Sequence, residues 1–181
     1  MKYPTKARIN GVEYELNTDY STGIECMEIS KDPDITDYER ALAIIFKIFG
    51  FIPEENCDAF LKFAVEFLQC GKKYEDDARV VEDFDLVYDN DYIVASFESD
   101  YHINLEIESN MHWWRFCQLL NGLTETSIFN RVREIRNYDL SEISDPKFKR
   151  KMEDAKKAVA LPVRRTKEEQ RAIDEFEALF N

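Results

Sequence analysis

Apolar residues recur along most of the chain at helical spacing, broken by short polar stretches rich in Asp, Asn, Gly and Pro. One stretch departs from that period. In "KARINGVEYELN", residues 6 to 17, two short runs flank Asn10-Gly11, the pair that best tolerates the positive φ angles of a type I′ turn. After the turn Val12, Tyr14 and Leu16 alternate with Glu13 and Glu15, the pattern of a half-buried strand. A hairpin is predicted. Two strands alone are marginal, so it must lie against helices or gain another strand.

The remaining periodicity is helical. Residues 18 to 30 read as a helix entered from Thr18 or Asp19, with Gly23 a weak spot, and Pro33 then marks a loop. Thr36 and Glu39 have the spacing of a capping box. The helix they open, about 37 to 49, carries Tyr38, Ala41, Leu42, Ile45 and Ile48 or Phe49 on one stripe and stops at Gly50. Pro53 opens the next, about 54 to 70, on Phe60, Phe63, Ala64, Phe67 and Leu68, closed by Gly71. A connection of about four residues makes these two antiparallel neighbours.

"GKKYEDDARVVED" reads as a polar loop. From Asp83 one turn and one longer helix are expected, with the break near Asp89–Asp91. "INLEI" alternates like a short strand, although a helix start near Ser109 suits the sequel better. A helix then runs to Asn121-Gly122, and another spans about 125 to 137. Residues 146 to 158 are mostly charged, with Phe148, Met152 and Ala155 as a thin stripe. Pro162 precedes a last amphipathic helix bearing Ile173, Phe176, Leu179 and Phe180. The expected fold is mainly α: a multi-helix bundle with a short N-terminal β-hairpin. Its expected division is a core at 1–140 and a charged helical extension at 141–181, packed on the core or docked on another chain.

"MHWWRFCQLLNGL", residues 111 to 123, puts two tryptophans side by side. Adjacent helical positions point about 100° apart, so both cannot face one core. With Trp113 set inward, Phe116, Leu119, Leu120 and Leu123 share its face, while Trp114 falls between Gln118 and Asn121. Trp114 then either packs on a second element or serves as a surface anchor, a role in which Trp and Arg are enriched. The candidate partner-binding residues are Trp114, Arg115 and Gln118 on this helix, with Ile173, Phe176 and Phe180 on the last.

The 181 residues are 44% hydrophobic and 13% aromatic, enough for a real core. The net charge of −13 is uneven: residues 1–127 balance at −15 and residues 128–181 at +2. Phosphates would be repelled by the acidic part, so no nucleic-acid partner is expected. Neither a membrane span nor an apolar signal region is present in the sequence, and a soluble cytosolic protein is expected.

Cys26, Cys57, Cys70 and Cys117 are scattered and form no CxxC pair, and the histidines are His102 and His112 alone, so no metal or cofactor is expected. P-loop, GxGxxG, GxSxG and HExxH patterns are absent. Asp89, Asp91, Ser96 and Asp100 suggest an EF-hand loop, but Val94 stands where its glycine belongs. His112 beside Glu108 or Cys117 has no third group to orient it as a base, so a structural role is expected. The carboxylates of "EDD", "EDFD" and "DND" could hold magnesium but read as solvated surface. In "RVREIR", Arg131 and Arg133 could touch phosphate, though neutralising acidic surface is the simpler use.

Over "YIVASFESDYHINLEIESNMHWWRFCQLLNGLTETSIFNRVREIR", residues 92 to 136, the chain resembles the bacteriophage Gp15 proteins of long-tailed phages and prophages of Gram-positive bacteria. The resemblance lies in "ASFESDY", "INL", "MHWWRF", "LLNGL" and the helix ending "REIR". It departs at "HIN", where a glycine-containing stretch is expected. The resemblance implies a non-enzymatic role in tail morphogenesis, in the host cytoplasm, as a tail assembly chaperone. The implied partner is the tape-measure protein, with the major tail protein as a second. It brings no catalytic residues. The alternatives are a structural tail or connector component kept in the virion and, further off, a small metal-dependent regulator.

Overall fold

The computed structural model describes residues 3–72, 82–108 and 110–178. Among them two strands and eight α-helices follow in order. Strands β1 (Lys6–Ile9) and β2 (Val12–Glu15) precede α1 (Tyr20–Lys31), α2 (Asp37–Phe49) and α3 (Cys57–Leu68). Then come α4 (Asn90–Tyr101), α5 (Trp113–Asn121), α6 (Ile128–Asn137), a 3-10 turn at Leu140–Glu142, α7 (Pro146–Ala158) and α8 (Lys167–Ala178). The fold is mainly α with one antiparallel hairpin. Contacts gather it into two compact units, Met1–Lys73 with Val163–Asn181, and Tyr74–Pro162. This differs from the compositional division at 141: α7 groups with α4 to α6, and α8 with α1 to α3.

In the first unit the hairpin turns where expected, with positive φ at Asn10 (51°) and Gly11 (84°) and Ile9 paired to Val12. Tyr14 and Leu16 are half-buried between the exposed Glu13 and Glu15, as expected, and Val12 departs from that alternation. β1 packs against α3, so Ala7 and Ile9 are buried, while Val12 beside the turn is 52% exposed. The Asn17 N–H donates to the Ile48 carbonyl at 2.8 Å and ties the hairpin to the end of α2.

Asp19 caps α1 by accepting from the Ser21 N–H at 2.9 Å. Gly23 is no break in this helix. It is buried with Thr22 and Cys26, a face of small side chains, and α1 packs on α2. The capping box at α2 is complete: the Glu39 N–H donates to Thr36 Oγ1, and the Thr36 N–H to Glu39 Oε2 at 2.8 Å. Tyr38, expected on the inner stripe, is instead 71% exposed, and burial concentrates at Ile44, Ile45, Ile48 and Phe49. The first turn of α2 sits over the polar α1–α2 loop, where Arg40 donates to the carbonyls of Ile29, Asp32 and Ile35. Tyr38, in the same turn, faces solvent.

Helix α3 begins later than expected, at Cys57 behind Asn56 in a left-handed conformation, so Pro53 lies in the connection and not in the first turn. Phe60, Ala64 and Phe67 are its buried stripe. Phe60 anchors a ring cluster: Tyr14 and Phe49 each stand 5.0 Å from it edge-on, and Phe51 5.8 Å.

In the second unit a turn precedes α4 at 86–89, close to the expected break. Ile93, Phe97, Leu105, Met111, Trp113, Phe116, Leu120, Leu123, Phe129 and Val132 are buried. The Phe116 ring stacks between Phe97 at 5.4 Å and Trp113 at 5.7 Å. Ser96, wholly buried, donates to the Tyr92 carbonyl and accepts from the Phe129 N–H, joining α4 to the first turn of α6. "INLEI" is a turn and not a strand, because Asn104 Oδ1 accepts from the Glu106 N–H and bends the chain. Pro146 occupies the first turn of α7, capped by Asp145, and α7 packs on α6 and the 3-10 turn.

Candidate partner-binding surfaces

Helix α5 starts at Trp113, four residues after the expected Ser109, which itself lies outside the described residues. Its cap is His112, whose Nδ1 accepts from the Trp114 N–H at 3.0 Å. An accepting Nδ1 gives the imidazole a structural task, the one expected of it. The same ring stands edge-on to the Trp114 indole at 6.4 Å. The wheel is borne out at its centre, with Trp113, Phe116, Leu120 and Leu123 buried. On the other side Trp114 is half-buried, and Arg115 and Gln118 are exposed. Gln118 lies one turn beyond Trp114, so their side chains are neighbours on the helix surface.

The second set lies on α8, in the other compact unit. Ile173 is half-buried and Phe176 is 61% exposed. Phe180 lies outside the described residues. Ile173 helps line a shallow recess of about 430 Å³ with Val163, Arg164, Arg165, Glu169 and Ala172. Arg164 bonds Glu28 at the end of α1 at 2.5 Å, and the Lys167 N–H donates to Asp34 Oδ1 at 2.9 Å. The start of α8 is therefore held within the first unit by polar contacts to α1 and the loop after it.

Several of the charged residues that could serve metal or phosphate are bound to one another. Arg136 grips Asp89 with both terminal nitrogens, at 2.6 and 2.7 Å, and also donates to the Val159 and Asp83 carbonyls. The Asp89 side chain is wholly buried and that of Arg136 is 7% exposed. The hydrogen bond to Asp89 raises the Arg136 pKa further, against the cost of its burial. Arg133 pairs with Asp83 at 3.1 Å and lies over the Phe84 and Phe129 rings, 5.1 and 5.5 Å from their centroids. Arg131 is exposed.

Three of the four candidate EF-hand ligands are likewise engaged by different groups. Asp89 holds Arg136, Ser96 joins α4 to α6, and Asp100 accepts from the Thr124 N–H at 2.8 Å and its hydroxyl at 2.9 Å. The Thr124 amide holds the Asp100 carboxyl below the usual carboxylate range. Burial, with Glu25 nearby, pushes the Cys26 thiol up to about 12.

Sequence reasoning passed over Arg136, Phe51 and Ile52. Arg136 carried a signal in its spacing of three from Arg133, which puts both on one side of α6. Phe51 (38% exposed) and Ile52 (50% exposed) are large apolar side chains in a connection of seven residues, where polar ones are the rule.

Among known proteins, the family model described as bacteriophage Gp15 protein matches residues 2–161. The block at 92–136 falls within that match, and α8 lies beyond it. No curated protein and no solved structure matches the chain.

Proposed function

The chain belongs to the bacteriophage Gp15 protein family, and on that premise we propose that it is a non-enzymatic protein of phage tail morphogenesis, a chaperone that keeps the tape-measure protein soluble in the host cytoplasm until the tail tube takes its place. The match over residues 2–161 carries the reading. The chain's chemistry is compatible with it. Arg133 and Arg136 are paired with Asp83 and Asp89, and Trp114, Arg115 and Gln118 lie on the outer side of α5. A tape measure is a long helix with an apolar stripe, and an amphipathic helix is recognised by apolar anchors at helical spacing. The net charge of −13 would keep such a complex in solution. The major tail protein is the second partner on this reading, and Ile173 and Phe176 of α8 are the second contact face.

Co-purification of the full chain with fragments of the tape-measure protein encoded nearby tests the proposal, wild type against Trp114→Ala. A soluble complex weakened by the substitution supports both chaperone and anchor. A complex indifferent to it keeps the chaperone and returns Trp114 to packing. Absence of any complex at low and moderate salt, together with the chain's presence in purified particles, would replace the chaperone with a structural component of the virion.

A further inference from the structure

Between the hairpin tip and the α2–α3 connection lies a groove of about 340 Å³ within the first unit. Its lining is mixed, with an aliphatic and aromatic floor of Ile9, Val12, Tyr14, Phe51 and Phe60 and polar side chains from Asn10 and Asn56 beside it. Two features separate it from an ordinary surface dent. Large apolar groups around it are open to water: Val12 is 52% exposed, Phe51 38% and the adjoining Ile52 50%. Such clustering marks interaction sites, whereas single exposed apolar residues do not. The floor is also fixed in place, because Tyr14, Phe51 and Phe60 brace one another with centroids 5.0 to 5.8 Å apart. Preorganised rings lose little freedom when a partner arrives.

Charge identifies the occupant. The lining includes Glu54 and Glu55, both exposed, and no basic side chain. Nucleic acid would be repelled by them. A volume near the lower end of ligand pockets suits one or two anchor side chains rather than a large cofactor. We infer that this groove seats a basic amphipathic helix of the tape-measure protein, placing an aromatic or aliphatic anchor against Tyr14, Phe51 and Phe60 with flanking lysine or arginine on Glu54 and Glu55. The inference rests on the tail-assembly reading for the identity of the partner, and on the groove for the chemistry of the contact.

The test measures the affinity of the full chain for a fluorescently labelled tape-measure fragment by anisotropy, at 50 and 500 mM NaCl. Glu54→Lys/Glu55→Lys changes exposed side chains only and should leave the melting temperature unchanged. It should weaken binding about tenfold or more at low salt and flatten the salt dependence that wild type shows. Phe51→Ala should weaken binding by a similar factor at both salts, as loss of a central aromatic anchor does. A wild-type complex whose affinity is unchanged, or improved, by the charge reversal overturns the groove and leaves the chaperone reading standing. A wild-type chain that binds no fragment at either salt overturns the chaperone reading, and the groove's assignment with it.

Discussion

Replacing Arg136 by methionine keeps an unbranched side chain about as long as the arginine stem and removes the four hydrogen bonds the guanidinium makes, two to Asp89 and one each to the Val159 and Asp83 carbonyls. Asp89 is then a wholly buried carboxylate with the Asp85 N–H, at 3.0 Å, as its remaining donor. Breaking a buried ion pair from one side costs about 3–5 kcal/mol, because the partner charge stays behind unpaired. A domain of this size is stabilised by about 5–15 kcal/mol in all, so the loss is a large share. With a urea slope of about 1–3 kcal/mol per molar, the unfolding midpoint should fall by about 1–5 M. Both tryptophans of the chain lie on α5 in the same unit as Arg136. Tryptophan fluorescence therefore reports this unit without interference from the other.

Three companions sharpen the test. Arg136→Lys retains the charge but not the two-pronged geometry, so it should fall between wild type and Arg136→Met. Asp89→Leu/Arg136→Met removes both charges and should be less damaging than Arg136→Met alone, since no charge is stranded. The Arg136→Met deficit should also shrink as the pH falls from 7 to 5. A stranded buried carboxylate has a raised pKa and binds a proton, so the folded variant gains protons relative to the unfolded chain and is stabilised by acid. An Arg136→Met midpoint within about 0.5 kcal/mol of wild type, or a double variant as weak as the summed singles, would refute the reasoning.

Gly122 is needed for space: a Cβ there would stand 3.0 Å from Tyr101 Oη and 3.2 Å from the Gln118 carbonyl oxygen. Gly122→Ala should displace the Tyr101 hydroxyl from its 2.9 Å bond to the Leu119 carbonyl and cost about 1 kcal/mol. In a Tyr101→Phe background the same substitution should cost distinctly less, and equal costs in urea melts would disprove the coupling. Asp100 has a lowered folded pKa, so its ionised form stabilises the fold above the unfolded value of about 3.9 and that contribution is lost as pH falls through the folded value. Asp100→Asn should accordingly melt below wild type at pH 6 and approach it near pH 3, whereas a pH-independent gap would show that charge is not the cause. Cys26, buried with its thiol pushed up to about 12, should resist maleimide at pH 8 in the native chain while the half-buried Cys57, Cys70 and Cys117 react faster. Mass spectrometry of the labelled peptides decides it, and early labelling of Cys26 would contradict its burial.

Where neighbours in sequence determine the geometry, the chain could be read directly. Asn10-Gly11 sets the turn, Thr36 with Glu39 the start of α2, and Pro146 behind Asp145 the start of α7. Helix starts without such a signature were misplaced. His112 is an unusual cap, and the Ser109-Asn110 pair drew the expected start of α5 upstream. Stripes were legible at their centres and not at their ends: Tyr38 has helical spacing with Ala41, Leu42 and Ile45, but spacing cannot show that α2 begins over a polar loop. Charge pairing was the least legible. Asp89 and Arg136 are 47 residues apart, and each alone looks like a solvated surface charge until the fold buries both. The exposed Phe51 and Ile52 were hidden for the opposite reason, since a periodicity scan counts apolar residues near a helix end as core.

Much of the block that carries the family resemblance is spent on holding the second unit together. His112 caps α5, Trp113 and Phe116 fill the core, Tyr101 bonds the Leu119 carbonyl beside Gly122, and Arg133 and Arg136 bind Asp83 and Asp89. What this block offers on α5 to a partner is Trp114, half-buried, with Arg115 and Gln118. That is a small surface beside the roughly 800 Å² per side of a standard interface. A partner held firmly would therefore engage more than α5, and the aromatic groove at the hairpin, inside the matched residues 2–161, is one surface with both apolar anchors and charge. The two surfaces make separable demands on a binding experiment. If α5 alone recognises the tape measure, Trp114→Ala abolishes binding and reversing Glu54 and Glu55 does nothing. If the groove supplies the main anchor, the charge reversal dominates and Trp114→Ala trims the affinity. A contact shared between them makes each single variant partial and the combined variant at least additive.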